Sequence, residues 1–503
     1  MTRPGIIIDG ASLTCAGVAA VARDEAAVTV AADAVMAARA AWETARDVAA
    51  RRPVYGRTTG VGANRNVGLA EDDLAERGLR LLRSHAAGSG PLQPADLGRA
   101  MLVTRLNQIG AGGSRVDPGV LEALADALNR GFTPPVPLYG AIGTGDLTAL
   151  ASTGLCLIGE RAWRTGTGPP PQFPLRPAEA PGFMSSNAAT LGEAALACHD
   201  LSVLVRSAAV IAALSLLAVR GSLEPYAPAV HRGRPAGQQR VASRMRALLG
   251  AAPMSDPGLA STALASTGHP PARIQDSYGY RAFPQVHGPA ADSLGYAEEM
   301  VTTGLNAASE NPLVDPAGHA VWHNGNFHAA YVGLALDTAR AALFQTAALS
   351  AARLGTLVEP SFTGLHAFAA DAPASSGIMI LEYFAQSAVA DLRRFATPAA
   401  LGSAVLSRGV EEHAGFSTQS ARASTDAVAA YRAVLACELA ATVRVLRMQD
   451  RAPAAGGPLR AAFDAADAVL DPRTADRPLD ADLTAAEGLL GGYATFGQEG
   501  EGV

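Results

Sequence analysis

Tyr139-Gly140-Ala141-Ile142-Gly143-Thr144-Gly145-Asp146-Leu147-Thr148 is the stretch around which the rest of the chain is read. Three glycines, Gly140, Gly143 and Gly145, fall within six residues, and an apolar run follows through Leu147, Ala149, Leu150, Ala151, Leu155 and Leu157. Glycine lets a backbone enter conformations that a Cβ forbids. Asp146, just past the last glycine, puts a carboxylate where a helix N-terminus favours negative charge. The pattern predicts a tight, strained loop feeding a buried helix, with free N–H groups and a positive dipole end aimed back at the loop. Such a place can stabilise an anion or an electron-rich intermediate. The plainer reading is a turn that only redirects the chain.

Composition narrows the setting. The 503 residues are 49% hydrophobic but only 5% aromatic, which points to a core of Ala, Leu and Val suited to close helix packing. A net charge of −6 argues against nucleic acid as a partner. All 40 basic residues are arginine, so Schiff-base chemistry on a lysine, including lysine-anchored pyridoxal phosphate, is excluded. Cys15, Cys156, Cys198 and Cys437 lie far apart in apolar surroundings and read as reduced core thiols of a cytoplasmic protein. The N-terminus lacks a signal peptide's long apolar region. The apolar run Ala208–Val219, between Arg206 and Arg220, reads as a buried helix too short to span a bilayer, so no membrane partner is expected.

Outward from the opening loop, several segments carry chemistry. Val54-Tyr55-Gly56-Arg57-Thr58-Thr59-Gly60-Val61-Gly62-Ala63-Asn64 holds too many glycines for a helix. It reads as a surface turn lidded by Tyr55, or as a mobile loop that delivers a phenol into a site. The segment 79–88 is a helix stopped by Gly88, with His85 in its last turn, where imidazole also simply suits a helix C-terminus. Asn187 stands before a long helix through Val219 and could be only its N-cap. Tyr278 and Arg281 are three residues apart, on one face of a helical turn. Arginine's planar fork binds a carboxylate through two donors, and a phenol beside it could move a proton. His323 and His328 are not spaced to share a helical face and no third ligand is near in sequence, so a metal site is not expected. Glu411-Glu412 would ordinarily be solvated surface charge.

Taken together, these motifs resemble the aromatic amino acid ammonia-lyases and aminomutases, which include histidine ammonia-lyase. The resemblance runs over about 50–420, with six motifs in family order. The 54–64 loop is similar to the family's inner loop, which implies Tyr55 as catalytic base. The run from Gln275 to Val286 matches the Gln-Asp-x-Tyr-x-x-Arg-x-x-Pro-Gln-Val segment almost residue for residue. That match implies Arg281 on the substrate carboxylate, with Gln275 and Tyr278 lining the pocket. Ser84-His85 resembles the histidine-type selector pair. Asn187 falls where an asparagine lies beside the cofactor, Asn326-Phe327 lies in the Gly-Asn-Phe-His segment, and Glu411 matches the glutamate near the substrate amine. The chain departs from the family pattern at Ala188, where the family has glycine, and at Val410, where it has glutamine.

The departure that matters most is in the opening loop. In the family an Ala-Ser-Gly tripeptide before Asp-Leu cyclises into an electrophilic methylidene-imidazolone ring (MIO). Here Gly143, Thr144 and Gly145 precede Asp146-Leu147, no serine is present, and the run from Gly140 is one residue shorter. The expectation is therefore no cofactor: a ring derived from Thr144 would carry an extra methyl on the carbon that must be attacked. Three readings remain: a ring-bearing ammonia-lyase or aminomutase, a ring-free elimination, conjugate addition or cyclisation, and a non-catalytic binding relative. The expected ligand is a small molecule with a carboxylate. The resemblance implies a mostly α fold, a long antiparallel helix bundle with a small mixed N-terminal region. The expected division is 1–190, bearing the catalytic loops, and 191–503, the bundle. It also implies a homotetramer whose sites mix loops from three subunits. The Gly/Glu-rich tail from Gln498 is expected to fray.

Overall fold

Alanine and leucine at helical spacing carry most of the chain into helices. The computed structural model describes residues 5–69, 71–250 and 273–497; the tail from Gln498 lies outside them. Two compact units are interleaved in sequence. One comprises Met1–His199, Tyr296–Asp337 and Pro398–Thr425, and the other Asp200–Gly295, Thr338–Thr397 and Asp426–Val503. The sequence division at 190 falls near the start of the helix Ala188–Ala218. The chain then re-enters the first unit twice, at Tyr296 within the helix Phe283–Leu305 and at Pro398 after the helix Ile380–Phe395.

In the first unit, Ile6–Ile8 pairs in parallel with Val28–Val30. The helix between them, Cys15–Ala22, is capped by Thr14, whose Oγ1 accepts the Gly17 N–H at 3.0 Å. That helix packs on Ala95–Gly110, which in turn packs on Gly119–Asn129. A small apolar core gathers Ala41, Ala45 and Val48 of the helix Ala32–Ala49 with Val54, Val314 and Val321. Val314 and Val321 come from the antiparallel pair Leu313–Asp315 and Ala320–Trp322. Burying each such valine contributes on the order of 1.5–3 kcal/mol. This cluster matters for the site because the Tyr55 loop starts at Val54 and the strand Ala320–Trp322 leads directly to His323.

The helix predicted after the opening loop is Leu147–Leu157, and all its residues from Ala149 to Leu157 are buried. It packs against Glu71–His85, the helix that carries His85. Gly154 makes the approach possible, since a Cβ there would stand 2.8 Å from Leu82 Cδ2. A leucine at Gly154 would push the two helices apart and carry His85 away from the loop.

The second unit holds the predicted turn Tyr278–Arg281, followed by the helix Phe283–Leu305. The guanidinium of Arg353 and the carboxylate of Glu438, both fully buried, pair at 2.6 Å. The apolar run at 208–219 proves to be the end of the 31-residue helix Ala188–Ala218, so the expected shortness is corrected. By length and composition the stretch Ala180–Ala218 that contains it could cross a bilayer, yet 72% of its apolar window is buried within the protein. Its apolar side chains are spent on packing.

Candidate active site

The opening loop is shaped by its glycines. Gly143 has φ of +84° and Gly145 of +106°, values that side chains rarely adopt. Four successive carbonyls of the loop are anchored. Gly140 O accepts from Thr148 Oγ1 at 2.9 Å, Ala141 O from Gln419 Nε2 at 2.9 Å, Ile142 O from Phe416 N–H at 2.9 Å, and Gly143 O from Ala329 N–H at 3.1 Å. Asp146 closes the loop from below: its N–H donates to Ser186 O at 2.7 Å, and its buried carboxylate accepts from Thr190. Among the described residues the N–H groups of Thr144 and Gly145 have no hydrogen-bond partner.

Thr144 and Gly145 open onto a cavity of about 670 Å³ within the first unit. Tyr55, His85, Phe327 and Glu411 stand on the same wall, as do Arg65, Arg115, His323 and Ser407. The Tyr55 hydroxyl oxygen accepts the Gly62 N–H at 2.8 Å. Glu411 faces the same glycine, with Oε1 4.0 Å from where a Gly62 Cβ would be. His85 Nδ1 lies 3.0 Å from both the Leu81 carbonyl oxygen and the Ser84 hydroxyl. These contacts occupy Nδ1, and Nε2, with no hydrogen-bond partner among the described residues, is left for a ligand. Phe327 Cδ2 lies 3.9 Å from the place of a Gly145 Cβ and so backs the loop.

Other expected site residues sit elsewhere. Gly143 is buried beneath the loop, and Asn326 lies outside the cavity wall, its N–H on Asn324 Oδ1 at 2.8 Å. Asn187 is buried and accepts from Gln108 Nε2 at 3.2 Å; its suggested capping role goes instead to Ser186, whose Oγ accepts the Ala188 N–H at 3.0 Å. Gln275, Tyr278 and Arg281 belong to the second unit and line a different cavity of about 430 Å³. There the Arg281 guanidinium lies over the Tyr278 ring, 4.2 Å from its centroid, and Arg281 Nε has no partner among the described residues. His328 does not act alone: its Nε2 is 3.0 Å from His413 Nδ1.

Known proteins match this chain over nearly its whole length. The model of the aromatic amino acid lyase family matches residues 13–468. The chain belongs to the aromatic amino acid lyase family. A probable histidine ammonia-lyase of Halobacterium salinarum is 35% identical over 518 residues, 97% of each chain. Histidine ammonia-lyase of Streptomyces avermitilis is 32% identical over 513 residues, 96% of each chain. Among solved structures, tyrosine aminomutase of Streptomyces globisporus superposes with a TM-score of 0.88 at 27% identity, covering 97% of both chains. The protein is thus an ammonia-lyase-like enzyme with the mostly helical fold of this family.

Family motifs led to Tyr55, His85, Phe327 and Glu411, but Arg65, Arg115, His323 and Ser407 are among the wall residues that escaped the sequence reading of the site. Arg115 is the most telling. It is fully enclosed, its Nη1 donates to Tyr55 O at 2.7 Å, and its own N–H donates to Glu310 Oε2 at 3.2 Å. Glu310 also receives Arg105 Nη2 at 2.6 Å, so one buried carboxylate takes the Arg105 guanidinium and the Arg115 backbone N–H. Burial lowers the Arg115 pKa to about 10, against the opposing pull of Glu310. In the sequence Arg115 is one arginine of many after a Gly-Gly-Ser turn; only its burial sets it apart.

Proposed function

We propose that this family member eliminates a leaving group from an amino acid or amino-acid-derived carboxylate, with Tyr55 as base and Gly143-Thr144-Gly145 left as an ordinary peptide. The observation that carries this is one cavity lined by Tyr55, Glu411, Thr144 and Gly145, the last two with N–H groups that have no hydrogen-bond partner among the described residues. Tyr55 would take the proton from the carbon next to the departing group. Glu411 would hold the cationic end of the substrate, and the loop N–H groups would receive negative charge as it develops. His85 Nε2 would meet the side chain. A binding module has no use for a loop-borne base, which disfavours a non-catalytic relative.

Against the ring stand features of the loop itself. Its closure would expel the Gly143 oxygen as water and leave the Ala329 N–H without its acceptor, just ahead of the helix Ala330–Leu357. The family's alanine does not fit at Gly143, where a Cβ would stand 2.6 Å from Ser417 N and closer still to its Oγ. Threonine is stiff at χ1, and its dehydrated form would keep a methyl on the electrophilic carbon. Ring formation by these residues therefore fits poorly. Without an electrophile ammonia is a poor leaving group, so a group that departs more readily, or an intramolecular cyclisation or conjugate addition, suits this site better.

The carboxylate fork of Arg281 lies on the second unit, outside the Tyr55 cavity. A cytoplasmic homotetramer in which a neighbouring copy brings Gln275, Tyr278 and Arg281 would supply it, and Tyr278, 66% exposed, is available for that. Intact mass of the purified protein is the test. A complete mass, with histidine, phenylalanine and tyrosine all left undeaminated, is the expected result. A mass short by two waters, with any of the three deaminated, would restore the ring-bearing ammonia-lyase.

A further inference from the structure

We propose that His323 is a positioning residue for Tyr55, gripping the Tyr55 backbone N–H only while its imidazole is neutral, so that the base-bearing loop loosens in mild acid. The inference rests on the reading of Tyr55 as base for its catalytic meaning, though not for its structural one.

Tyr55 sits in a loop whose glycines, with Gly56 at φ +68° and Gly62 at φ +55°, give it little stiffness of its own. Each polar group of the residue is instead held from outside or by the loop's far end. Its carbonyl takes Arg115 Nη1 at 2.7 Å, its hydroxyl oxygen takes Gly62 N–H at 2.8 Å, and its N–H donates to His323 Nε2 at 3.2 Å. A backbone N–H can only donate, so Nε2 must carry a lone pair and no proton. The segment bearing His323 is fixed on both sides. Asn324 N–H donates to Asn311 Oδ1 at 3.1 Å, and its Nδ2 donates to Glu310 O at 3.0 Å and to Trp322 O at 2.9 Å.

Of the three contacts only the one through His323 can be lost by protonation in mild acid; Arg115 keeps its charge and Gly62 has none to change. The charged groups facing the imidazole are Arg52 and Arg115, both cations, while Arg65, His85 and Glu411 share its cavity wall. Burial, then Arg52 and Arg115, hold the His323 pKa below its ordinary value and so keep the ring neutral at physiological pH. Once protonated, Nε2–H would point at the Tyr55 N–H, donor against donor, and the loop would lose its grip on that side.

Hydrogen–deuterium exchange of the peptide spanning 53–64 tests this in the full-length protein, in wild type, His323→Gln and His323→Leu. Glutamine keeps an acceptor oxygen that does not titrate; leucine removes the acceptor. Near neutral pH, His323→Leu should exchange roughly tenfold faster than wild type, as fits the loss of one hydrogen bond, and His323→Gln should not. At about pH 5, wild type should lose protection relative to His323→Gln measured at the same pH. Exchange in His323→Leu equal to wild type, or wild type and His323→Gln falling together with pH, would overturn the proposal. The readout does not depend on turnover: failure to find any substrate would count against Tyr55 as base, whereas unchanged exchange would count against the grip.

Discussion

Asp146 accepts both donors of Thr190, the backbone N–H on Oδ2 at 2.7 Å and the hydroxyl on Oδ1 at 2.9 Å. One carboxylate thus joins the end of the glycine loop to the first turn of the helix Ala188–Ala218. Asp146→Ala leaves the buried Thr190 N–H without an acceptor, at a cost on the order of 1–3 kcal/mol, and frees the loop that bears Thr144. Lower melting temperature together with lost activity is expected. A variant as stable and active as wild type would show that the loop is held by its carbonyl anchors alone.

Burial pushes the Asp146 pKa up to about 6 against the pull of its Thr190 bonds. Raised above the unfolded value near 3.8, the folded form favours the protonated acid. Its contribution is full below that unfolded value and is lost as pH rises through about 6.

Tyr55→Phe keeps the ring but removes the oxygen that accepts the Gly62 N–H and, on the proposed mechanism, the proton acceptor. Turnover should fall by about 10²–10⁴-fold with little change in melting temperature. Steady-state kinetics on the identified substrate decide it. Unchanged kcat would leave Glu411 or Tyr278 as the base.

Arg281→Lys replaces a planar two-donor fork with a point charge. Its Nε, enclosed and unpartnered among the described residues, is available for a bidentate carboxylate. Ligand affinity measured by calorimetry should weaken by about 1.5–3 kcal/mol with the fold intact. Equal affinity would remove Arg281 from carboxylate binding.

His287 is fully buried, stacked on Phe283 at 3.8 Å between centroids, and neither ring nitrogen has a partner among the described residues. Burial first, and Arg353 second, hold its pKa well below the ordinary 6.5. A depressed imidazole pKa means that the unfolded chain binds the extra proton first. The stability His287 permits is present above about pH 6.5 and is lost as pH falls. His287→Met should flatten the fall in melting temperature on the acid side, read by thermal melts across pH; an unchanged slope would assign acid sensitivity elsewhere.

Local patterns made much of this legible in advance. The helices at 32–49, 95–110, 119–129, 380–395 and 417–448 follow alanine and leucine spacing, while the helix bearing His85 ends at that residue, short of Gly88. The membership in the lyase family and the cavity positions of Tyr55, His85, Thr144, Gly145, Phe327 and Glu411 followed from short motifs, because a loop's glycines and reactive side chain are adjacent in sequence. Arg115 and His323 gave no such signal. Arg115 lies sixty residues from the tyrosine it holds and His323 lies 268 away.

By itself the sequence determined helical content, the lysine-free chemistry and the absence of the serine from the loop, since each depends on residue identity or on spacing of a few positions. Only the tertiary structure decided that Asn187 and Asn326 stand off the cavity wall, that Arg115 is buried beside a shared carboxylate, and that His323 must be neutral to hold Tyr55. The reason is physical. Burial and the partner of a polar group are set by segments brought together from far along the chain, and the protonation state a group can keep depends on both.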